Sequence, residues 1–364
     1  MTKLFVPGRL CLFGEHTDWA GHYRTMNADI VPGAAIVTGI EQGIYAEVEK
    51  SSLFEVQSVA PQIENEWQDF ACRMDEQELK RIAKSGSFFC YCAGVASYML
   101  EWYKVGGVRI KITSMTLPMK SGLSSSAAIC VLVARAFNIL YNLNLNTLGE
   151  MNIAYVGELR TTSRCGRLDQ ACAFGVKPNL MTFDGDEVEV QSLNVKKPLY
   201  WVFADLCGEK NTVKILRDLN RAYPFASNEQ EEREQQALGE LNQDIVNRAI
   251  KCMAEGEVEQ LGKLMNEAGL PYDMEHGDEN CVLSVACRRK KHNNRTIVVL
   301  ENGGADAGCR SQMQHALLQA EKAMGCRQSV SRRGHTRNSA HRTSRHRGTR
   351  ESGNRAPRHR RSAG

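Results

Sequence analysis

Several stretches of the chain alternate between apolar and polar residues. The pattern is clearest in residues 44–49 and 108–113, where every second position is apolar, as expected of strands with one buried face. Between them, residues 88–103 are apolar almost throughout and are long enough for a helix. This order predicts two strands that flank a buried helix.

The second half of the ordered pattern mixes both periods. Residues 180–183 and 187–190 flank Asp184-Gly185, a pair that favours a hairpin turn, and residues 200–204 predict a further strand. From 228 to 267 apolar residues recur every three or four positions, which predicts an amphipathic helix followed by another. The pattern is a mix of strands interleaved with helices.

The character of the chain changes after about Leu270. A basic run spans Cys287–Arg295, followed by a short strand candidate at 296–300 and a possible helix over 312–324. Residues 331–364 hold eleven arginines and one glutamate, so this segment has a net charge of about +10. Because the whole chain has a net charge of +4, residues 1–330 have a net charge of about −6. Such a segment has too little apolar surface to offset its ordering entropy, so we expect a disordered tail.

A polar run stands directly before a long apolar segment in LPMKSGLSSSAAICVLVARAF, residues 117–137. Gly122 permits a tight backbone, and Ser124, Ser125 and Ser126 have hydroxyls that can cap a helix continuing to about Tyr141. Free amide groups at a helix start, together with serine hydroxyls, suit a phosphate chain. Serine caps before buried helices are common, so this loop alone does not establish nucleotide binding.

Several other classes of site and segment are not indicated. The sequence has no GxxxxGK[ST], no GxGxxG and no CxxC, and its thirteen cysteines predict small buried thiols in a reducing compartment. No window approaches eighteen apolar residues, and charged residues interrupt the start before any signal-peptide core. We therefore expect a cytoplasmic protein with no membrane partner.

Three segments in order resemble the GHMP kinase superfamily, which includes galactokinases, mevalonate kinases and homoserine kinases. PxxxGLSSSAA is similar to its phosphate-binding loop, VPGRLCLFGEHTDWAG at 6–21 is similar to the N-terminal galactokinase signature, and GELRTTSRCGRLDQ at 157–170 resembles the segment with the acidic residues. The likeness covers roughly residues 4–270.

The resemblance implies an α+β fold of two lobes. It also implies an enzyme that phosphorylates a small molecule with ATP and Mg²⁺. We expect a ribosomal-S5-like ATP- and Mg-binding lobe over 1–180, an α/β C-terminal lobe over 181–325 that is atypical after about 270, and the basic tail over 326–364. The expected reaction is ATP-dependent phosphorylation of a monosaccharide, at the anomeric hydroxyl as in galactokinases. The oligomeric state does not follow from the sequence.

The matching positions imply roles for individual residues. Asp169 corresponds to the residue that accepts the sugar hydroxyl proton, and Arg9 to the arginine that pairs with it. Ser126 and Glu158 correspond to magnesium ligands. The phosphate-binding residues are Ser121, Gly122, Leu123, Ser124, Ser125 and Ser126. Read singly, each acidic or basic residue here is typical of a turn or a solvated surface.

The expected sugar contacts are Glu15, His16 and Asp18, because GEHTD resembles the galactokinases and their sugar-kinase relatives. Carboxylates accept hydrogen bonds from sugar hydroxyls and discriminate against ligands that lack them. The alternative is that His16 and Asp18 only cap a turn before Ala20. Trp19 and Ala20 depart from the tyrosine and asparagine usual in galactokinases, so the particular sugar stays open.

The superfamily's C-terminal glycine-rich motif has only a weak candidate, at 302–309. One hypothesis is that the chain after about Leu270 is a frameshift product that leaves the second lobe incomplete. Three alternatives stay open: a catalytically silent sensor of sugar and ATP, a mevalonate- or homoserine-type kinase, and nonspecific binding of nucleic acid by the basic tail. The tail has no aromatic residue for base stacking, so no specific nucleic-acid partner is expected.

Overall fold

The computed structural model describes residues 1–58, 69–87, 89–117, 123–163, 165–205, 220–276, 284–287 and 297–302. Its strands are β1 (Thr2–Phe13), β2 (Gly33–Ser51), β3 (Leu53–Ser58), β4 (Phe70–Arg73), β5 (Gly107–Met115), β6 (Asn179–Asp184), β7 (Glu187–Ser192), β8 (Tyr200–Asp205), β9 (Ser284–Cys287) and β10 (Ile297–Asn302). Its α-helices are α1 (Thr17–His22), α2 (Glu76–Ala83), α3 (Cys90–Trp102), α4 (Ser125–Tyr141), α5 (Thr147–Leu159), α6 (Glu229–Gln236), α7 (Asn242–Glu255) and α8 (Val258–His276).

The long strand β2 organises a seven-stranded sheet. Most of its length pairs antiparallel with β1, while its two ends pair with β6 over 33–37 and with β5 over 44–51. The remaining strands extend the sheet in the order β4-β3-β5-β2-β6-β7. The two stretches of period two thus lie in the antiparallel neighbours β2 and β5, which confirms both strand predictions.

Helix α4 forms the centre of the core beneath this sheet. Residues 127–134 are all fully buried, so the helix is apolar around its whole circumference rather than along one stripe. It packs against α3 and α5 on its sides and against β1 and β2 on its sheet face. Fully burying a side chain such as Leu132 contributes about 1.5–3 kcal/mol, so this packing holds α4 firmly against the sheet.

The hairpin of β6 and β7 turns at Asp184-Gly185, as its residues predict. Gly185 has a φ of 61°, a left-handed conformation that glycine adopts without steric cost. The two strands belong to the large sheet, so this sheet continues to Ser192, past the expected lobe boundary at residue 180. The domain limits stay a prediction.

The helices after residue 228 bear out the predicted amphipathic pattern. One turn of π-helix at Ala237–Leu241 joins α6 to α7, and α8 follows after Gly256. Ile245, Val246 and Ala249 of α7 lie in the same hydrophobic core as the large sheet. A second sheet has β10 at its centre, parallel to β8 and antiparallel to β9, so the predicted strands at 200–204 and 296–300 are confirmed.

Other predictions lie outside the described residues. These are the glycine-rich candidate beyond Asn302, the helix over 312–324 and the disordered tail over 326–364. In the part of the chain that the structure describes, no helix is both long and apolar enough to cross a bilayer. The cysteines whose side chains are described are free thiols, and most of them are buried.

Candidate functional site

Arg9 lies on β1, and its guanidinium group is buried. The pairing of β1 with β2 shifts register between Pro7 and Arg9, and such irregularities re-aim a side chain. Its Nη1 donates to Oε2 of Glu15 at 2.9 Å, and its Nη2 donates to Oδ1 of Asp169. Burial alone would lower the pKa of the guanidinium, but these two carboxylates outweigh it and raise the pKa well above its ordinary value.

Asp169 begins a short 3-10 helix, Asp169–Phe174, and its side chain is 32% exposed. Oδ1 accepts hydrogen bonds from both Arg9 and the Ser124 hydroxyl, the latter at 2.7 Å. No described residue donates to Oδ2. One oxygen is thus held in place, while the other is left as an acceptor for a ligand proton.

Ser124 corrects part of the prediction for the serine loop. It lies just before α4 with φ 57° and ψ 46°, and its side chain does not cap the helix. The hydroxyl is used across the site, on Asp169, which no local rule of helix capping would indicate. A non-glycine residue in this conformation costs roughly 1–2 kcal/mol, and such strain is common at functional sites.

The rest of the expected phosphate loop is described only from Leu123 onward; Ser121 and Gly122 lie outside the described residues. Leu123 is buried, and its carbonyl oxygen accepts the backbone N–H of Arg9 at 3.2 Å. Ser125 and Ser126 form the first turn of α4 and are partly exposed. A helix N-terminus with this composition suits an anion.

The segment with the expected sugar contacts folds over the N-terminal end of β2 and the C-terminal end of β6. Gly14 has a φ of 83°, and a Cβ there would come within 2.1 Å of the Ala34 carbonyl oxygen, so only glycine fits. His16 has a φ of 71° and immediately precedes α1. Glu15 is 41% exposed and pairs with Arg9, so it shares this guanidinium group with Asp169.

Asp18 is buried, which the sequence pattern does not reveal. Its Oδ2 accepts the backbone N–H of Leu168 at 3.0 Å, so it fixes the strand of chain that leads into Asp169. Burial raises its pKa from 3.8 to about 6, against the lowering effect of that hydrogen bond. A side chain that only caps the turn before Ala20 would not make this contact with Leu168.

Glu158 lies on α5 and is only 2% exposed. Its Oε2 accepts from Nε2 of Gln170 at 2.8 Å, and the hydroxyl of Ser163 lies 3.4 Å from Oε1. Burial and then the nearby charge of Asp169 raise its pKa to about 7. Hydrogen bonding from Ser126 acts against this rise in pKa, so the two expected metal ligands lie near one another.

These two ligands fit a magnesium ion. A buried carboxylate with no cationic partner among its described hydrogen bonds would be compensated by a divalent cation, and Mg²⁺ typically takes only one or two protein ligands. Within the described residues no group of three or more His, Cys, Asp or Glu side chains forms a larger metal cage. Ser126 and Glu158 would supply one hydroxyl and one carboxylate oxygen.

Sequence reasoning assigned no role to Gln170, which is fully buried and contacts Glu158. It also missed the backbone of Leu168 as the partner of Asp18. A glutamine directly after the expected base was the available signal for the first; the second had none, because backbone donors carry no residue signature.

Comparison with known proteins gives similarities that agree with one another. Residues 90–176, which include α3, α4, α5 and Asp169, match the family described as GHMP kinases N terminal domain. This part of the chain is therefore similar to a GHMP kinase N-terminal domain. It is 32% identical to the galactokinase of Pyrococcus furiosus over 203 residues, which cover 54% of this chain and 51% of that protein. It is 29% identical to the galactokinase of Thermotoga petrophila over 291 residues, 72% of this chain and 75% of that protein.

Solved structures agree on the GHMP kinase fold. The Lactococcus lactis galactokinase complexed with galactose superposes with a TM-score of 0.54 at 18% identity, covering 75% of each chain. The Methanococcus jannaschii mevalonate kinase gives 0.57 at 15% identity, covering 88% of this chain and 95% of that one. The superfamily resemblance and the α+β fold class are confirmed, while the chain spans only about half the length of the Pyrococcus protein.

Proposed function

We propose that the protein transfers the γ-phosphoryl group of ATP to the anomeric hydroxyl of a monosaccharide. The observation that carries this proposal is the arrangement of Asp169: one carboxylate oxygen is held by Arg9 and Ser124, and the other accepts no hydrogen bond from a described residue. A positioned acceptor oxygen beside a fixed cation is the arrangement that phosphoryl transfer to a hydroxyl requires.

In the proposed reaction Oδ2 of Asp169 accepts the proton of the sugar hydroxyl. The sugar oxygen forms a bond to the γ-phosphorus as the bond from that phosphorus to the bridging oxygen of ADP breaks. The Arg9 guanidinium keeps Asp169 in place and offsets the negative charge around the transferred group. The products are a sugar phosphate and ADP.

The nucleotide would lie with its phosphates at the N-terminus of α4, where Ser125 and Ser126 offer backbone N–H groups and hydroxyls. Ser126 and Glu158 would hold Mg²⁺. When bound, the ion neutralises charge on the phosphates. Gln170 follows Asp169 in the 3-10 helix and donates a hydrogen bond to Glu158 on α5. The two acidic groups are therefore held on neighbouring elements.

A sugar is the substrate class that the N-terminal segment supports best. Glu15 is partly exposed beside the Arg9–Asp169 pair, so its carboxylate is placed to accept a hydrogen bond from a second hydroxyl of the acceptor. The relatives that the chain matches are galactokinases, and one solved galactokinase is complexed with galactose. The anomeric position is what the resemblance of the sequence motifs to galactokinases implies.

An ADP-release assay with Mg-ATP tests the proposal on the full chain. The panel contains galactose, arabinose, glucose, glucuronate and mevalonate, and the parent is compared with Asp169→Asn. The proposal expects ADP release with one sugar, lost in the variant, which should still bind ATP. Release with mevalonate alone, or equal rates in parent and variant, would overturn it; ATP binding with no release for any acceptor would favour a silent sensor.

A further inference from the structure

Gln170 connects the two acidic groups of the site. It directly follows Asp169 in the 3-10 helix, and its side chain is fully buried beneath the site. Its Nε2 donates to Oε2 of Glu158 at 2.8 Å and approaches the sulfur of Cys165 at 3.6 Å. Of two successive residues in one short helix, Asp169 therefore contacts Arg9 and Ser124, and Gln170 contacts Glu158.

The contact from Gln170 is the one most able to orient Glu158. The hydroxyl of Ser163 is 3.4 Å from Oε1, which is long for a hydrogen bond between oxygens. Ser126 also lies near the carboxylate, but its hydroxyl is the group expected to bind the cation. The amide of Gln170 has no such second task, so it can hold Oε2 both with and without the ion.

The chemistry of an amide also suits this position. A lysine or arginine here would neutralise Glu158 and weaken its attraction for a cation, whereas a neutral N–H fixes the carboxylate and leaves its charge in place. The other end of the amide, Oε1, is buried and accepts no hydrogen bond from a described residue. An unsatisfied buried acceptor costs free energy, so apolar side chains of this size would be favoured if packing were the only requirement.

We propose that Gln170 is a positioning residue that holds the Glu158 carboxylate in the orientation that binds the divalent cation. This inference rests on the proposed function for the identity of the ion's site. It predicts a defect in metal binding rather than in sugar binding. Outer partners of metal ligands typically change metal affinity by about 10–100-fold when removed.

The test measures binding of Mn²⁺ to the full chain with ADP present, by electron paramagnetic resonance of the free ion. Gln170→Met keeps the volume and removes the amide, and Gln170→Asn keeps an amide that is one methylene too short. Each should weaken Mn²⁺ binding about tenfold or more and raise the Mg²⁺ concentration for half-maximal turnover, with the sugar KM nearly unchanged. Gln235→Met is the matched control, since Gln235 donates to the carbonyl of Ala222 on other elements.

Unchanged Mn²⁺ affinity in a folded Gln170→Met or Gln170→Asn protein would overturn the inference. An equal loss of affinity in Gln235→Met would also overturn it, because the effect would then be general destabilisation. If the parent binds Mn²⁺ and ADP but phosphorylates no sugar, the proposed function fails while the Gln170 comparison in Mn²⁺ binding still decides this inference.

Discussion

The hydroxyl of Ser124 donates a 2.7 Å hydrogen bond to Oδ1 of Asp169, across 45 positions of the chain. Ser124 precedes the expected nucleotide-binding helix, and Asp169 is the proposed base. In the proposed function, the bond therefore joins the phosphate side of the site to the acceptor side. Because Ser124 lies in the left-handed region, the backbone turn that starts α4 also aims this hydroxyl.

Replacing Ser124 by alanine should lower kcat about tenfold or more, since a hydrogen bond to a charged group contributes about 1.5–3 kcal/mol. The KM for ATP should change little, because the hydroxyl is engaged with Asp169. Steady-state kinetics of the variant separate the two effects. A raised ATP KM with kcat intact would instead place the hydroxyl on the nucleotide.

The same position makes a prediction about stability. Ser124→Gly should be more stable than Ser124→Ala by about 1 kcal/mol, because glycine adopts a positive φ without the steric cost that a Cβ brings. Urea denaturation of the two variants measures the difference. Equal midpoints and slopes would show that the left-handed conformation is not retained.

Arg9→Lys should lower kcat/KM about 100-fold or more, although the charge is kept. Arg9 uses two nitrogens on two carboxylates, Glu15 and Asp169, and a single ammonium group cannot reproduce that fork. Arg109→Lys is the matched control, because Arg109 also bridges two carboxylates but lies outside the site on β5. Similar losses in both variants would argue against a specific role for Arg9.

Asp18 predicts a pH dependence of stability. Its folded pKa of about 6 exceeds the ordinary value of 3.8, so the folded protein holds the proton more tightly than the unfolded chain. This contribution is fully present below pH 3.8 and is lost as pH rises through 6. The free energy of unfolding of Asp18→Asn, relative to the parent, should thus improve by about 2 kcal/mol between pH 4.5 and pH 7.

Urea denaturation at the two pH values measures that difference. Because other groups titrate over the same range, only the change in the variant relative to the parent is informative. A relative stability independent of pH would mean that Asp18 is not protonated in the folded protein near pH 5.

Gly166→Ala should disturb the same contact by a steric route. A Cβ at Gly166 would lie 1.8 Å from Oδ2 of Asp18, the oxygen that accepts the Leu168 N–H. We expect a loss of about 2 kcal/mol in unfolding free energy and a raised sugar KM. Gly149→Ala in α5 is the control, where the nearest side-chain atom is 3.3 Å away, and it should be neutral or stabilising.

The sequence predicted the elements that depend on local periodicity and the residues that belong to ordered motifs. The strands around 44–49 and 108–113, the buried α4, and the pairing of Arg9 with Asp169 all follow from such patterns. Each is specified either by the period of apolar positions or by residue types in a fixed order. The resemblance placed Arg9 and Asp169 together although 160 positions separate them.

The remaining features depend on tertiary packing. The left-handed turn at Ser124, the burial of Asp18 and the bond from Gln170 to Glu158 arise only when α4, α5 and the 3-10 helix are assembled. None of these contacts leaves a periodic signal, because each joins side chains distant in the chain. A serine before a helix was accordingly assigned to capping, although its hydroxyl binds Asp169.

Phosphorus-31 NMR of the reaction mixture tests the central proposal most directly. The full chain is incubated with Mg-ATP and the sugar that supports ADP release, beside Asp169→Asn as the matched control. We expect a new resonance of a phosphate ester coupled to the anomeric proton, formed in equal amount to ADP and absent with the variant. Inorganic phosphate as the only new product, or a phosphate on mevalonate alone, would contradict a kinase acting on a sugar hydroxyl.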